Sequence, residues 1–127
     1  MKIKYEDIVS QLTSSYYMKE PTFNDFVNIL ERINQFINNG DDVFDIDLLL
    51  DVEGVYEILS LHFQQFTLIK YLMTIVRICE LDYEFDESVI FNYRDIQIQL
   101  VKLKKIFYSN KVKCQKTQTA NATININ

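Results

Sequence analysis

Glycine, proline and alanine are scarce in this chain of 127 residues, which has two glycines, one proline and two alanines, both near the C-terminus. Glycine and proline punctuate β-rich and turn-rich folds, so their scarcity favours a few long elements and hence helices. Because alanine is missing where helices would form, helix propensity is modest and packing must supply most of the stability. The apolar content of 48% is enough to bury a core and excludes wholesale disorder.

Residues for metal or nucleophilic chemistry are also few, with two cysteines and one histidine. Cys79 and Cys114 lie far apart and without metal-ligand spacing, which predicts reduced thiols and a cytoplasmic location. No apolar stretch typical of a signal peptide follows the N-terminal lysines. Any Ser-His-Asp or Cys-His arrangement would need His62, the position of which on an apolar seam favours a packed histidine with one hydrogen bond. The motifs GxxxxGK[ST], GxGxxG, GxSxG and HExxH are missing, so we expect a non-enzymatic protein without cofactor or metal.

Acidic residues are absent after Asp95, although the whole chain has a net charge of −5. Residues 1–101 carry all 18 acidic residues and seven Lys or Arg, a net charge of −11, whereas residues 102–127 carry six lysines, a net charge of +6. The sequence therefore predicts an acidic body with a basic tail. An acidic body repels nucleic-acid phosphates, which disfavours general binding of DNA or RNA through it.

The longest apolar run extends from Val55 to Cys79. Its apolar residues recur at a helical period, and a narrow polar stripe runs from Glu57 to Arg77. This pattern predicts one central helix from about Glu53 to Leu81, exposed to solvent along one strip. Charged residues interrupt every window of about 20 residues, so we expect no membrane span.

Weaker apolar periods on either side predict four further helices. Their expected bounds are Tyr5 to about Tyr17, Phe23 to Asn38, a short helix from Phe44 to Leu50, and Ser88 to Tyr108. The candidate N-cap of the second helix is Thr22, that of the short helix is Asp45 or Asp42, and that of the last helix is Asp86 or Ser88. Gly40 is the candidate residue just beyond the C-terminal end of the second helix. Gly54 either separates the short helix from the central one or marks a close helix crossing. The predicted fold is all-α, a single-domain irregular bundle of four to five helices over residues 1–108, with a disordered basic tail over residues 109–127.

Two acidic segments, Asp41–Glu57 and Glu80–Glu87, are the first candidate site. These residues do not match the EF-hand calcium loop. An alignment that starts at Asp41 or Asp45 has neither the glycine at position 6 nor the glutamate at position 12 that the motif needs. We therefore expect these residues to dock a protein with a basic surface, as an adaptor, inhibitor or immunity-type protein (a phage or viral inhibitor among them), with a homo-oligomer also possible. The residues are Asp41, Asp42, Asp45, Asp47, Asp51, Glu53, Glu57, Glu80, Asp82 and Glu84.

Two alternatives remain open. Lysines at the end of the last helix, namely Lys102, Lys105, Lys111 and Lys113, could contact phosphates in a nucleic-acid-associated factor. The second alternative is a small helical enzyme that uses His62.

Overall fold

The computed structural model describes residues 1–15, 19–81 and 83–126, with side chains as far as Lys111. It confirms the all-α prediction, with five helices and one short sheet in the described residues. In chain order the elements are β1 (Lys2–Lys4), α1 (Tyr5–Ser15), α2 (Glu20–Asn38), β2 (Val43–Asp45), a 3-10 helix (Ile46–Leu50), α3 (Val52–His62), α4 (Leu68–Cys79) and α5 (Glu87–Ile126).

The helix α4 forms the centre of the core. It packs against α5, α2 and α1, and Leu72 and Ile75 in its middle are fully buried. Tyr93 of α5 is also fully buried, and its hydroxyl donates a hydrogen bond of 2.5 Å to the backbone carbonyl of Leu49. This bond ties α5 to the segment that leads into α3.

The prediction of one continuous central helix is wrong, because α3 ends at His62 and α4 begins at Leu68. Phe63 has an extended backbone, with φ −131° and ψ 150°. There its ring lies 4.4 Å from the ring of Tyr71 and 5.5 Å from that of Phe36, measured between centroids. The aromatic packing favours the break, since tertiary contacts override local helix propensity. No glycine or proline lies in this turn, so no local pattern indicates it.

The sheet formed by β1 and β2 was not predicted. The strands pair antiparallel, with Lys2 opposite Asp45, Ile3 opposite Phe44 and Lys4 opposite Val43. Strands of three residues are too short to show a period of two, which is why the sequence pattern did not reveal them. Pairing buries Phe44 and places two lysines beside the acidic segment.

The ends of α2 differ in how well they were predicted. The helix begins at Glu20, with Pro21 in its first turn, and Lys19 precedes it without a side-chain cap. The predicted cap at Thr22 is therefore wrong, because proline is tolerated in the first turn and the helix starts before the threonine. At the other end the helix stops at Asn38, as predicted, and Asn39 and Gly40 follow it with φ of 57° and 71°. The predicted first helix is confirmed as far as Ser15, and its last two positions lie outside the described residues.

Aspartates cap the later helices. The carboxylate of Asp45 accepts a hydrogen bond from the Asp47 backbone N–H at 3.2 Å, and that of Asp86 accepts one from Ser88 at 3.0 Å. Both were among the predicted caps, although the element after Asp45 is a 3-10 helix. Gly54 lies inside α3, where the Asp51 carboxylate accepts from its N–H at 3.1 Å, and a Cβ there would lie 2.2 Å from Asp51 Oδ2. Gly54 thus leaves room for the capping carboxylate of Asp51 and does not separate two helices.

The last helix is longer than predicted. The backbone of α5 remains helical to Ile126, so the predicted end at Tyr108 is wrong. The apolar period fades near Tyr108 because it reports burial, whereas residues 109–126 contain no glycine or proline that would end a helix. The disorder predicted for residues 109–127 concerns motion in solution and stays a prediction.

Candidate functional site

The first acidic segment is partly neutralised by the N-terminus. The amine of Met1 lies 2.7 Å from Asp47 Oδ2 and 3.9 Å from Asp45 Oδ1. The β1–β2 pairing also places Lys2 opposite Asp45. These two aspartates therefore stabilise the fold locally and are less available to a partner than the sequence predicts.

Three other predicted partner-binding residues have their carboxylates engaged within the fold. Asp41 accepts a hydrogen bond from the Val43 N–H at 3.2 Å, and Asp51 caps α3. Glu80 accepts from the guanidinium of Arg94, which joins the end of α4 to α5. Such contacts satisfy backbone groups or pair charges, which is a structural role.

Asp42, Glu53 and Glu57 are exposed, and within the described residues their carboxylates make no hydrogen bond or ion pair. Glu53 and Glu57 lie one turn apart on α3, and Leu61 lies one turn further on. The Leu61 side chain is 78% exposed and that of the neighbouring Ile58 is 37% exposed. We call Glu53, Glu57, Ile58 and Leu61 the α3 outer face. It combines unpaired carboxylates with exposed apolar area.

The second acidic segment is described only in part. Asp82 lies outside the described residues. Glu84 is exposed and has a φ of 57°, which places it at the tight turn between α4 and α5. Since Glu80 is paired with Arg94, Glu84 is the described member of this segment with the most available charge.

The predicted lysine site lies along α5. Lys102 and Lys105 line a shallow groove of about 370 Å³ on the outer side of this helix, together with Arg94 and Ile98. Lys111 is exposed, whereas the side chain of Lys113 lies outside the described residues. The structure thus brings the cationic side chains of Arg94, Lys102 and Lys105 together on one side of α5.

The apolar residues near the end of α5 are exposed. Leu103 is 46% exposed, Ile106 is 57% exposed and Phe107 is 52% exposed. Phe107 touches the body through Phe66, with ring centroids 5.7 Å apart. The lysines between these residues in the sequence indicate that this part of the helix is exposed, because lysine is almost never buried.

His62 is exposed at the C-terminal end of α3 and not packed in the core as predicted. It comes to the surface because α3 ends there. Its imidazole stacks on the ring of Phe36, with centroids 4.1 Å apart and an interplanar angle of 22°. Within the described part of the chain, no group of three His, Cys, Asp or Glu residues could hold a metal ion.

A groove between α2 and α4 was missed because its lining comes from two separate helices. It encloses about 610 Å³, and three cationic side chains border it: Lys19, Lys70 and Arg77. Lys70 is paired with Asp25 at 3.3 Å, and the Arg77 guanidinium lies 5.7 Å from the centroid of the Phe26 ring. These contacts hold the two helices together at the rim of the groove.

Cys79 is a buried thiol at the end of α4. Burial raises its pKa to about 12, so it is a thiol and not a nucleophilic thiolate near neutral pH. Burial also raises the pKa of the Tyr93 hydroxyl, and a negative charge on Cys79 would raise it further. Both groups serve as neutral core residues.

Comparison with known proteins yields no match, whether with protein-family models, with curated proteins or with solved structures. Within the described residues, the helices are too short or too polar to cross a membrane.

Proposed function

We propose that this chain is a non-enzymatic protein–protein interaction module, of adaptor, inhibitor or immunity type, that docks a basic protein surface through the α3 outer face. The observation that carries the proposal is the 78% exposure of Leu61 on the same helix face as Glu53 and Glu57. Protein interfaces combine an apolar centre with a polar rim. Exposed carboxylates next to exposed leucine have this composition.

The charge distribution supports a basic partner. Neighbouring aspartates are engaged with the N-terminal amine or with caps, while Glu53 and Glu57 make no such contact in the described residues. Carboxylates of this kind accelerate association with a basic surface and select against acidic ones. The environment of His62 supports a non-enzymatic role, because its ring rests on an aromatic side chain and not on a group that would orient a general base.

The nucleic-acid alternative has weaker support. Arg94, Lys102 and Lys105 share one side of α5, which suits a phosphate backbone. The same helix, however, presents Leu103, Ile106 and Phe107 to solvent, and a body with a net charge of −11 repels nucleic acid. Exposed aliphatic side chains favour a protein contact.

Affinity capture with matched variants tests the proposal. The baits are the wild-type full chain, Glu53→Gln/Glu57→Gln, Leu61→Ser and the control Glu20→Gln/Glu31→Gln, which removes two exposed carboxylates of α2. We expect the wild type and the control to retain one basic protein from extracts of the source cells. With this protein purified, the first two variants should bind at least about tenfold more weakly, and high salt should slow the association. Equal retention by all four baits would reject the α3 outer face as the docking surface.

A further inference from the structure

The central helix α4 is uncovered along one strip. Eight of its 12 residues are buried, and its neighbours are α5, α2 and α1. Lys70 and Met73 are exposed, and Arg77 is half-buried. These three residues follow one another at steps of three and four, so they lie on the same side of the helix. They form one wall of the groove of about 610 Å³ between α2 and α4.

The groove has an apolar floor. Phe26 and Ile29 of α2 line it from one side, and Met73 and Thr74 of α4 line it from the other. The Thr74 hydroxyl donates a hydrogen bond of 2.9 Å to the backbone carbonyl of Lys70, within its own helix. Met73 is 37% exposed and supplies apolar area that a ligand can cover. An apolar side chain can therefore pack on this floor without leaving the Thr74 hydroxyl unpaired.

The rim of the groove is cationic although the body is acidic. Lys19, Lys70 and Arg77 border the groove, and among the described residues Asp25 is the carboxylate that accompanies them. The lining thus has a net charge of +2, from three cations and one carboxylate. Residues 1–101 as a whole carry seven Lys or Arg and 18 acidic residues, a net charge of −11. Three of these seven cations therefore lie at one groove, which favours an anionic partner.

The three cations are available to such a partner. The Lys70 ammonium lies 3.3 Å from the Asp25 carboxylate, but the two side chains are 64% and 54% exposed. An ion pair this exposed contributes little to stability, so the Lys70 ammonium can also bind a partner's carboxylate. Lys19 is exposed just before α2. The Arg77 guanidinium lies 5.7 Å from the centroid of the Phe26 ring, and this contact holds it at the groove.

The spacing of the cations matches that of a helix. Lys70 and Arg77 are seven residues apart, which is two turns of α4 or about 10 Å. The lining residues of the opposite wall, from Thr22 to Ile29, span the same number of turns of α2. We propose that the groove binds an acidic amphipathic helix of a partner protein. The apolar side of this helix packs on the floor, and two of its carboxylates, two turns apart, pair with Lys70 and Arg77.

Charge and length decide between this occupant and others. A small amphiphile with a single carboxylate reaches only one end of the groove, because Lys70 and Arg77 are about 10 Å apart. The lysine-rich segment of the chain itself, residues 102–127, is repelled by the rim. A nucleic acid or an anionic membrane extends beyond the groove and meets the excess carboxylates of the body. An acidic helix pairs with both cations and stays within the groove.

Synthetic helices test the proposal. The probe is a fluorescent alanine-based peptide of about 18 residues, long enough to be helical, with the central motif E-x-x-L-L-x-x-E. It should bind the full chain with a Kd below about 1 mM and shift the backbone amide NMR signals of residues 22–29 and 70–77. Three control peptides have lysines for the glutamates, alanines for the leucines, or glutamates five residues apart, on different sides of the helix. Each should bind at least about tenfold more weakly.

Variants of the chain test the same contacts. Lys19→Glu/Lys70→Glu reverses two charges of the rim, so it should lose the glutamate peptide and gain the lysine peptide. The control Lys102→Glu/Lys105→Glu makes the same change in net charge on α5 and should bind the glutamate peptide as the wild type does. Because a glutamate at position 70 lies beside Asp25, Lys19→Gln/Lys70→Gln is the milder second variant and should weaken the glutamate peptide about fivefold. Circular dichroism verifies the fold of each variant.

Five results would overturn the proposal: a Kd of the glutamate peptide above about 1 mM, equal binding of the lysine peptide, equal binding of the peptide with five-residue spacing, shifted amides outside the groove, and a folded rim reversal that binds both peptides as the wild type does. Decanoate is the competing small amphiphile, and tighter binding of decanoate at the same amides would identify it as the kind of occupant. Light scattering of the chain alone tests a second copy. A dimer that Lys19→Glu/Lys70→Glu abolishes would replace the partner helix by this chain itself.

This proposal is independent of the proposed function, because the groove and the α3 outer face share no residue. Glu53→Gln/Glu57→Gln should bind the glutamate peptide as the wild type does. Failure to capture a basic protein would leave the peptide result intact, and failure of the peptide would leave the capture result intact. If both succeed, the chain joins a basic partner to an acidic one, as an adaptor does.

Discussion

The helices α3 and α4 come from one continuous apolar run but bury very different shares of their side chains. In α4 eight of 12 residues are buried, whereas in α3 three of 11 are. α4 lies between α5, α2 and α1, while α3 packs on α2, α5 and the 3-10 helix. Similar apolar content thus produces a core helix in one half and a helix with an exposed face in the other. The turn at residues 63–67 makes this division possible, since it allows the two halves to point in different directions.

Truncation of matched leucines tests the contrast with the largest expected effect. Leu72 in α4 is 0% exposed and Leu61 in α3 is 78% exposed. We expect Leu72→Ala to lower the free energy of unfolding by about 3 kcal/mol, because it removes buried methyl groups and leaves a cavity. Leu61→Ala should change it by less than about 0.5 kcal/mol. Urea denaturation measures both, and equal losses for the two variants would contradict the assignment of core and surface.

The pH dependence of stability tests the burial of α4 relative to α3, and the expected effect is smaller than that of leucine truncation. Because the pKa of Cys79 is raised to about 12 in the folded state, the folded chain holds its proton at pH values where the unfolded chain has released it. The contribution of this thiol is therefore fully present below its ordinary pKa, near 9, and is lost as the pH rises from there toward 12. Wild type should lose stability faster than Cys79→Ala over this window, by about 1 kcal/mol per pH unit.

Urea titrations at pH 8, 9 and 10 with both chains give this difference, and the shared tyrosine contributions cancel to first order. Ser60→Cys, at an exposed position of α3, is the matched control, since a thiol there should add no slope. Parallel pH profiles for wild type and Cys79→Ala would show that the α4 thiol is solvated.

Periodicity predicted the helices well where each helix has one buried side and a polar terminus. The helix α2 has buried residues at Phe26, Ile29, Leu30 and Ile33, and Asn39 and Gly40 follow its last residue with positive φ. Both the periodic pattern and the end of the helix were therefore visible in the sequence. The turn at Phe63 was not, because it depends on aromatic contacts with Phe36 and Tyr71 from other parts of the chain. Long-range contacts of this kind leave no local pattern.

The candidate site was predicted only by its charge. The carboxylates of Asp47 and Glu57 look alike in the sequence, yet the former binds the N-terminal amine and the latter is exposed without such a contact in the described residues. Pairing of β1 with β2, two segments about 40 residues apart, creates this difference. The exposed side chain of Leu61 was likewise assigned to the core, because an apolar period does not distinguish a buried side from a docking surface.

Backbone chemical shifts over residues 55–79 test the division of the apolar run most directly. The Cα and Cβ secondary shifts should be helical up to His62, change to extended values at Phe63, and become helical again from Leu68. This pattern is expected because Phe63 has an extended backbone and α4 starts at Leu68. Uninterrupted helical shifts from Val55 to Cys79 would contradict the account, since a single straight helix would not leave α4 in the core with α3 at the surface.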